Sequence, residues 1–170
     1  MKQSMKSRFS AMALALAVLM GILCSLTPSA NAAVFVRDSR TSSVGPCLDA
    51  HGAAASAGTP IQNWTCNAGV AQHWLFEGLQ IVGIGSNATT GFNCIWTTRY
   101  PAVGVAVVLA PCTDPPGEFA ENRWVYSNNQ IQTYISVNGY RLCIDASGVI
   151  GTSATLQSCN GTPGQTWAIR

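Results

Sequence analysis

CLDAHGAAASAGTPIQNWTCNAGVAQHW, running from Cys47 to Trp74, decides the fold, because its framework returns twice. Cys47, Cys66 and Gln72-His73-Trp74 are followed by Cys94, Cys112 and Asn122-Arg123-Trp124, then by Cys143, Cys159 and Gln165-Thr166-Trp167. Successive first cysteines lie 47 and 49 residues apart, and successive second cysteines 46 and 47. A fixed period of this size marks one supersecondary unit used repeatedly, since a unit so small cannot bury its apolar face alone. Three copies predict a closed body with pseudo-threefold symmetry.

Residues 1–32 stand outside this framework. Lys2, Lys6 and Arg8 precede an apolar run from Ala11 to Leu26, and Ala30-Asn31-Ala32 forms a small-residue cleavage site. That layout is a secretory signal peptide, and its apolar run is shorter than the roughly 20 residues of a spanning helix. Cys24 leaves with it. The remaining 33–170 is one domain whose repeats fall at approximately 33–78, 79–127 and 128–170.

Cleavage changes the charge. Six arginines and no lysine then face seven acidic residues, so the basic balance of the full chain belongs to the targeting segment. Nucleic acid and anionic membranes are recognised through clustered Lys and Arg. This composition argues against both, and against membrane insertion. Six cysteines in an exported chain are expected to be oxidised. The repeat selects among the 15 pairings that six cysteines permit, because each unit closes on itself: Cys47–Cys66, Cys94–Cys112 and Cys143–Cys159. Metal binding is disfavoured by the lack of CxxC pairs and by only two histidines. No cofactor is expected.

Downstream of residue 33 the chain reads as short strands between Gly, Pro, Asn and Ser clusters, the pattern of an all-β barrel or sandwich. Strands are expected at 34–36, 60–64, 74–76, 80–84, 94–96, 105–109, 124–126, 130–137, 141–144, 154–157 and 167–169. The alternation through Ile131-Gln132-Thr133-Tyr134-Ile135-Ser136-Val137 suits a half-buried strand. No helical period appears.

Three units of about 46 residues, each with a paired cysteine and a Q-x-W or N-x-W triplet, resemble the ricin B-type lectin domain. Cys47-Leu48-Asp49-Ala50, Ile61-Gln62-Asn63-Trp64-Thr65-Cys66 and Gln72-His73-Trp74 follow that pattern closely. The resemblance covers 44–170 and implies a β-trefoil, three four-stranded units about a pseudo-threefold axis. One tryptophan at the same point of each unit suits a shared core, so Trp74, Trp124 and Trp167 are read as core residues rather than sugar platforms.

A hexose presents an apolar C–H face and a rim of hydroxyls. An aromatic ring covers the face, a carboxylate accepts from neighbouring hydroxyls, and an amide both donates and accepts. The resemblance assigns these roles in the first unit to Asp49 as carboxylate, Gln62 as amide, Trp64 as platform and Gln72 as support. His51 and His73 lie nearby, and Ala71 stands where family members with a full site often carry Asn. In the second unit Trp96, Val108 and Ala110 replace the clamp. Its apolar stretch 104–110 reads as a buried strand, with a protein-partner or self-association surface as the alternative. In the third unit Asp145 keeps the carboxylate, while Thr155 and Gln157 replace amide and ring. A plain turn role competes with sugar binding for Asp49 and Asp145 alike. N-x-[ST] sequons occur at Asn63, Asn87 and Asn160, and a glycan on Asn63 would crowd the first site.

No catalytic constellation accompanies these residues, so the chain is not read as an enzyme. The expected function is a secreted, extracellular or periplasmic, non-catalytic carbohydrate-binding protein. It recognises galactose-type or xylan-type sugars mainly through its first repeat. The competing reading is a trefoil scaffold, a toxin accessory or inhibitor, that binds a protein partner and has lost sugar binding.

Overall fold

Short alternating segments can each bury one face only if several close around a common axis, and the chain does so. The computed structural model describes residues 34–38, 46–54, 56–83, 92–112, 120–147 and 149–170, all within the compact unit Asn31–Arg170. The expected signal peptide, the Asn87 sequon and Ile84 lie outside the described residues. Among these residues are twelve strands, four single turns of 3-10 helix and no α-helix. No helix among them is long and apolar enough to cross a membrane.

The strands fall into three sets of four. The first comprises β1 (Val34–Asp38), β2 (Pro46–Ala50), β3 (Ile61–Thr65) and β4 (His73–Glu77). The second comprises β5 (Gln80–Gly83), β6 (Asn93–Thr97), β7 (Val107–Pro111) and β8 (Trp124–Ser127). The third comprises β9 (Gln130–Thr133), β10 (Leu142–Asp145), β11 (Thr155–Ser158) and β12 (Trp167–Ile169). The outer strands of each set form a barrel. β1 pairs with β4 and β12, β4 with β5, and β8 with β9, all antiparallel. Trp124 N–H donates to Leu79 O and Trp167 N–H to Asn129 O, both at 2.7 Å, at the two remaining joints.

The inner strands form three hairpins that cap the barrel: β2–β3, β6–β7 and β10–β11. They meet in a cycle of bridges, Pro60 with Val108, Ala106 with Thr155, and Ser153 with Gln62. Each bridge is the previous one carried on by one repeat, so positions 62, 108 and 155 are equivalent. Gly58, Gly104 and Gly151 occupy a second equivalent set, with φ of 86°, 81° and 84°. Their N–H groups donate to Leu109 O, Leu156 O and Asn63 O at 2.7, 2.7 and 2.6 Å. Glycine serves here because the left-handed region penalises a Cβ.

The core is equally repetitive. Trp74, Trp124 and Trp167 are buried, and each indole N–H donates to the carbonyl just after the first cysteine of its own unit. The acceptors are Leu48, Ile95 and Ile144 at 3.0, 2.9 and 3.2 Å. Truncating a buried ring of this size costs about 3–5 kcal/mol. Leu48, Ile95 and Ile144, with Ile61, Val107 and Ala154, fill the space between the tryptophans. One equivalent set is broken. Leu109 and Leu156 are apolar and buried, whereas their counterpart Asn63 is a fully buried amide. Neither its Oδ1 nor its Nδ2 has a hydrogen-bond partner among the described residues. The three disulfides form as the repeat requires, Cys47–Cys66, Cys94–Cys112 and Cys143–Cys159.

Two strand expectations are corrected. The segment 46–50, not among the expected strands, is β2, whose pairing with β3 outweighs the poor strand propensity of Pro46 and Asp49. The strand expected to run through Val137 stops at Thr133. There the Thr133 hydroxyl donates to Ile135 O at 2.8 Å and accepts from Leu142 N–H at 3.1 Å. The chain then enters a tight Asn138-Gly139 turn.

Candidate functional site

A single turn of 3-10 helix precedes the barrel strand that carries each tryptophan, at Val70–Gln72, Ala120–Asn122 and Pro163–Gln165. It ends on the amide of the Q-x-W or N-x-W triplet, and in the first and third units it turns that side chain toward the unit's own hairpin. In the first unit Gln72 Nε2 donates to Thr65 O at 2.9 Å and to Asp49 Oδ2 at 3.1 Å. Its Oε1 accepts from Asn67 N–H at 2.9 Å. In the third unit Gln165 Nε2 donates to Ser158 O at 2.9 Å and to Asp145 Oδ2 at 3.2 Å, and its Oε1 accepts from Asn160 N–H at 2.9 Å. The two sets of bonds are superposable in sequence position. A carboxylate is thus held twice, in the same place, by the same amide.

The two carboxylates differ in access. Asp49 is only 4% exposed, and its Oδ1 accepts from Gln62 Nε2 at 2.9 Å. Gln62, its direct cross-strand partner, is itself buried. Each carboxylate oxygen can accept more than one bond, so Asp49 keeps acceptor capacity but no open face. Trp64, two residues along β3 from Gln62 and on the same side, is 41% exposed and lies over Gly151 of the third unit. Ala71 packs on the core, so it adds no polar group. His51 is exposed and His73 half-buried, and neither reaches Asp49 by a described bond.

Asp145 is half-buried and opens onto a cleft of about 480 Å³ walled by polar residues, among them Ser147, Ser153, Thr155, Gln157, Asn160 and Thr162. Its Oδ1 accepts from Ser147 N–H at 2.7 Å, the turn role the residue type permits. Room for this orientation comes from Gly164, the equivalent of Ala71. A Cβ at 164 would fall 2.5 Å from Asp145 Oδ1 and 2.8 Å from Ser147 N. Gln157 Nε2 donates to Thr155 Oγ1 at 3.1 Å across the floor.

The structure therefore brings Asp49, Gln62 and Gln72 together, with Trp64 alongside, and separately brings Asp145 to Gln165. The more open carboxylate belongs to the third unit, while the resemblance places sugar recognition mainly in the first. Gly164 and the pair Asn67 and Asn160 are the residues missed from sequence. Both asparagines directly follow the second cysteine, a repeat signal that was available. In the second unit Trp96, Val108 and Ala110 stand in register where the clamp would be. Val105, Val107 and Leu109 are buried, so the core accounts for the apolar character of this stretch. Asn63 is 0% exposed, so its sequon is inaccessible in the folded chain. Asn160 is exposed. Among the described residues no His, Cys, Asp and Glu cluster is placed to hold a metal ion.

No protein-family model and no curated protein matches the sequence. Solved structures do. The C-half of the earthworm R-type lectin in complex with GalNAc is 16% identical at a TM-score of 0.59, covering 81% of this chain and 98% of that one. The β-trefoil lectin of the Vibrio vulnificus hemolysin/cytolysin, with N-acetyl-D-lactosamine bound, is 17% identical at 0.64, covering 83% and 95%. The Macrolepiota procera ricin B-like lectin in complex with lactose is 16% identical at 0.57, covering 83% and 96%. Likeness at this level of identity speaks to fold. The chain is a β-trefoil, the fold of the ricin B-type lectins that its three repeats resemble.

Proposed function

We propose that the protein is a secreted, non-catalytic carbohydrate-binding protein that takes sugar at its first and third repeats and not at its second. The observation carrying this reading is the duplicated brace, Gln72 on Asp49 and Gln165 on Asp145, each amide shared between a carboxylate oxygen and a backbone carbonyl. A braced carboxylate holds its acceptor direction without reorganising when hydroxyls arrive, and charge-assisted bonds are the stronger kind. The third repeat offers an open polar cleft. The first offers an exposed ring beside a nearly closed carboxylate, so its sugar binds at the rim unless Gln62 swings off Asp49.

Galactose-type sugars come first, because the three similar structures hold GalNAc, N-acetyl-D-lactosamine and lactose; xylan-type sugars come second. Shallow sites of this kind bind at about millimolar to tens of micromolar, and useful avidity needs a multivalent glycan. Formation of all three disulfides suits the oxidising route that the N-terminal segment suggests.

The test is a glycan array with the wild type beside Asp49→Ala and Asp145→Ala. Selective binding weakened by each variant supports the reading. An intact fold that binds no glycan overturns it and leaves the trefoil as a protein-binding scaffold.

A further inference from the structure

A second, larger cleft lies on the third unit away from both braced carboxylates. It encloses about 780 Å³ between Ala102 and Val103 of the second unit and the segment 132–142, with Ser158 and Cys159 at one end. None of the residues that the repeat pattern marks for sugar lies in it. Among its lining residues are the polar Gln132, Ser136, Asn138 and Ser158, together with Tyr140 and Arg141.

Three features set its chemistry. Tyr140 is 78% exposed, yet its backbone is fixed. Val137 N–H donates to Tyr140 O at 2.7 Å and Tyr140 N–H to Val137 O at 3.1 Å. Between them Asn138 and Gly139 have φ of 53° and 85°, as a type I′ turn requires. An aromatic on so short a turn brings contact area at low ordering cost. Arg141, beside it, is exposed and permanently charged, with a planar fork that matches a carboxylate. Among the described residues no carboxylate lines the cleft. The neighbouring Asp145 cleft has the opposite sign, and the two share Ser158 as a wall.

We propose that this cleft binds a carboxylated sugar, with the Arg141 guanidinium on the carboxylate, the Tyr140 ring against the C–H face, and Gln132, Ser136 and Ser158 on the hydroxyls. Sharing Ser158 with the Asp145 cleft suits an oligosaccharide whose acidic residue sits at Arg141 and whose next, neutral residue sits at Asp145. The acidic subsite stands on its own geometry and does not require sugar at Asp49 or Asp145.

The test is an amide NMR titration of the intact protein with methyl glucuronide and with its carboxyl-reduced counterpart, methyl glucoside. The glucuronide is expected to shift the amides of 136–142 and Val103, and to bind at least about tenfold tighter than the glucoside, as one charge-assisted pair allows. Arg141→Gln should erase that difference, Arg141→Lys should restore part of it, and Tyr140→Ala should weaken both sugars. Equal binding of the two sugars overturns the proposal, as does an Arg141→Gln variant with intact amide spectrum and unchanged glucuronide affinity. Acetate competing as tightly as the glucuronide reduces the site to bare ion pairing and also overturns it. Shifts at 67–72 and 160–165 are not required, because those segments border the sites proposed for galactose-type sugars and these titrants are gluco-configured.

Discussion

Replacing Asn63 by leucine should stabilise the protein, although the residue is fully buried and its backbone joins the first hairpin to the third unit. Its two polar atoms have no hydrogen-bond partner among the described residues, and mutational data put the cost of an unbonded buried amide at about 1–3 kcal/mol. The equivalent positions Leu109 and Leu156 show that this layer of the cap accepts leucine in the other two units. Leucine branches at Cγ as asparagine does, so its methyl groups replace Oδ1 and Nδ2 in place. Burying them adds an apolar contribution of ~1 kcal/mol or more, opposed by ~1 kcal/mol or more if the slot is tight. A net gain of about 1–3 kcal/mol follows, or ~3–5 °C in Tm per kcal/mol for a domain of this size. The assay is urea unfolding of the oxidised protein, reading midpoint and slope together so that a change in stability is separated from a change in the unfolded state. Asn63→Ala serves as control, since it removes the amide and leaves a cavity. A loss of more than 1 kcal/mol in Asn63→Leu, with a similar loss in Asn63→Ala, would refute the reasoning. It would mean that the amide makes bonds worth more than its desolvation.

The other predictions concern the braces, the glycine, the disulfides and one phenol. Gln165→Ala leaves Asp145 Oδ2, Ser158 O and Asn160 N–H without the bonds they make. It should cost about 2–4 kcal/mol by the same urea assay, and Gln72→Ala should cost as much in the first unit. Gly164→Ala drives a methyl into Asp145 and the Ser147 backbone. It should lower stability by about 1–3 kcal/mol and abolish glycan binding at the third repeat while sparing the first, read on the array. Removing Cys94–Cys112 as a double Ala variant should cost about 3 kcal/mol from loop closure, given its separation of 18 residues. Tyr126 has its pKa raised above the ordinary 10.0, chiefly by burial, with the Ile169 backbone bond acting the other way. Its hydroxyl donates to Trp167 O at 2.7 Å. Because the folded state holds this proton more tightly than the unfolded one, stability should be fully present below pH 10 and fall as pH rises above it. Tyr126→Phe should flatten that alkaline slope.

Much of this architecture is legible in sequence because it repeats. Positions that recur have the same surroundings each time, the tryptophans and cysteines in three units and the Gln-x-Trp amides in two, so one reading serves all. What does not recur is where the reading went astray. The resemblance gives Asp49 and Gln62 separate roles toward a sugar, and it cannot tell a carboxylate that faces solvent from one whose Oδ1 already accepts from that same amide. In the third unit Thr155 stands in place of Gln62 and Gly164 in place of Ala71, so no amide covers Asp145 Oδ1 and the missing Cβ gives it room. Asn63 reads in sequence only as a sequon, because Ile61-Gln62-Asn63-Trp64 puts one apolar and one polar residue on each face of β3, and only the fold shows that the Ile61 face is the core side. The end of β9 at Thr133 depends on a hydroxyl taking over backbone bonds, which apolar alternation through Val137 does not record. The acidic subsite depends on two units meeting at Ser158 and Val103, a juxtaposition that only the closed trefoil creates.

The central claim is that braced carboxylates in two of three equivalent units bind sugar. It is tested most directly by titrating the labelled protein with lactose and following the amides that border each brace. The account predicts saturable shifts at Asn67 and Gln72, at Asn160 and Gln165, and at the Trp64 indole N–H, with Asn122 unmoved. Shifts confined to the second unit, or none with lactose or any glycan selected by the array, would contradict it.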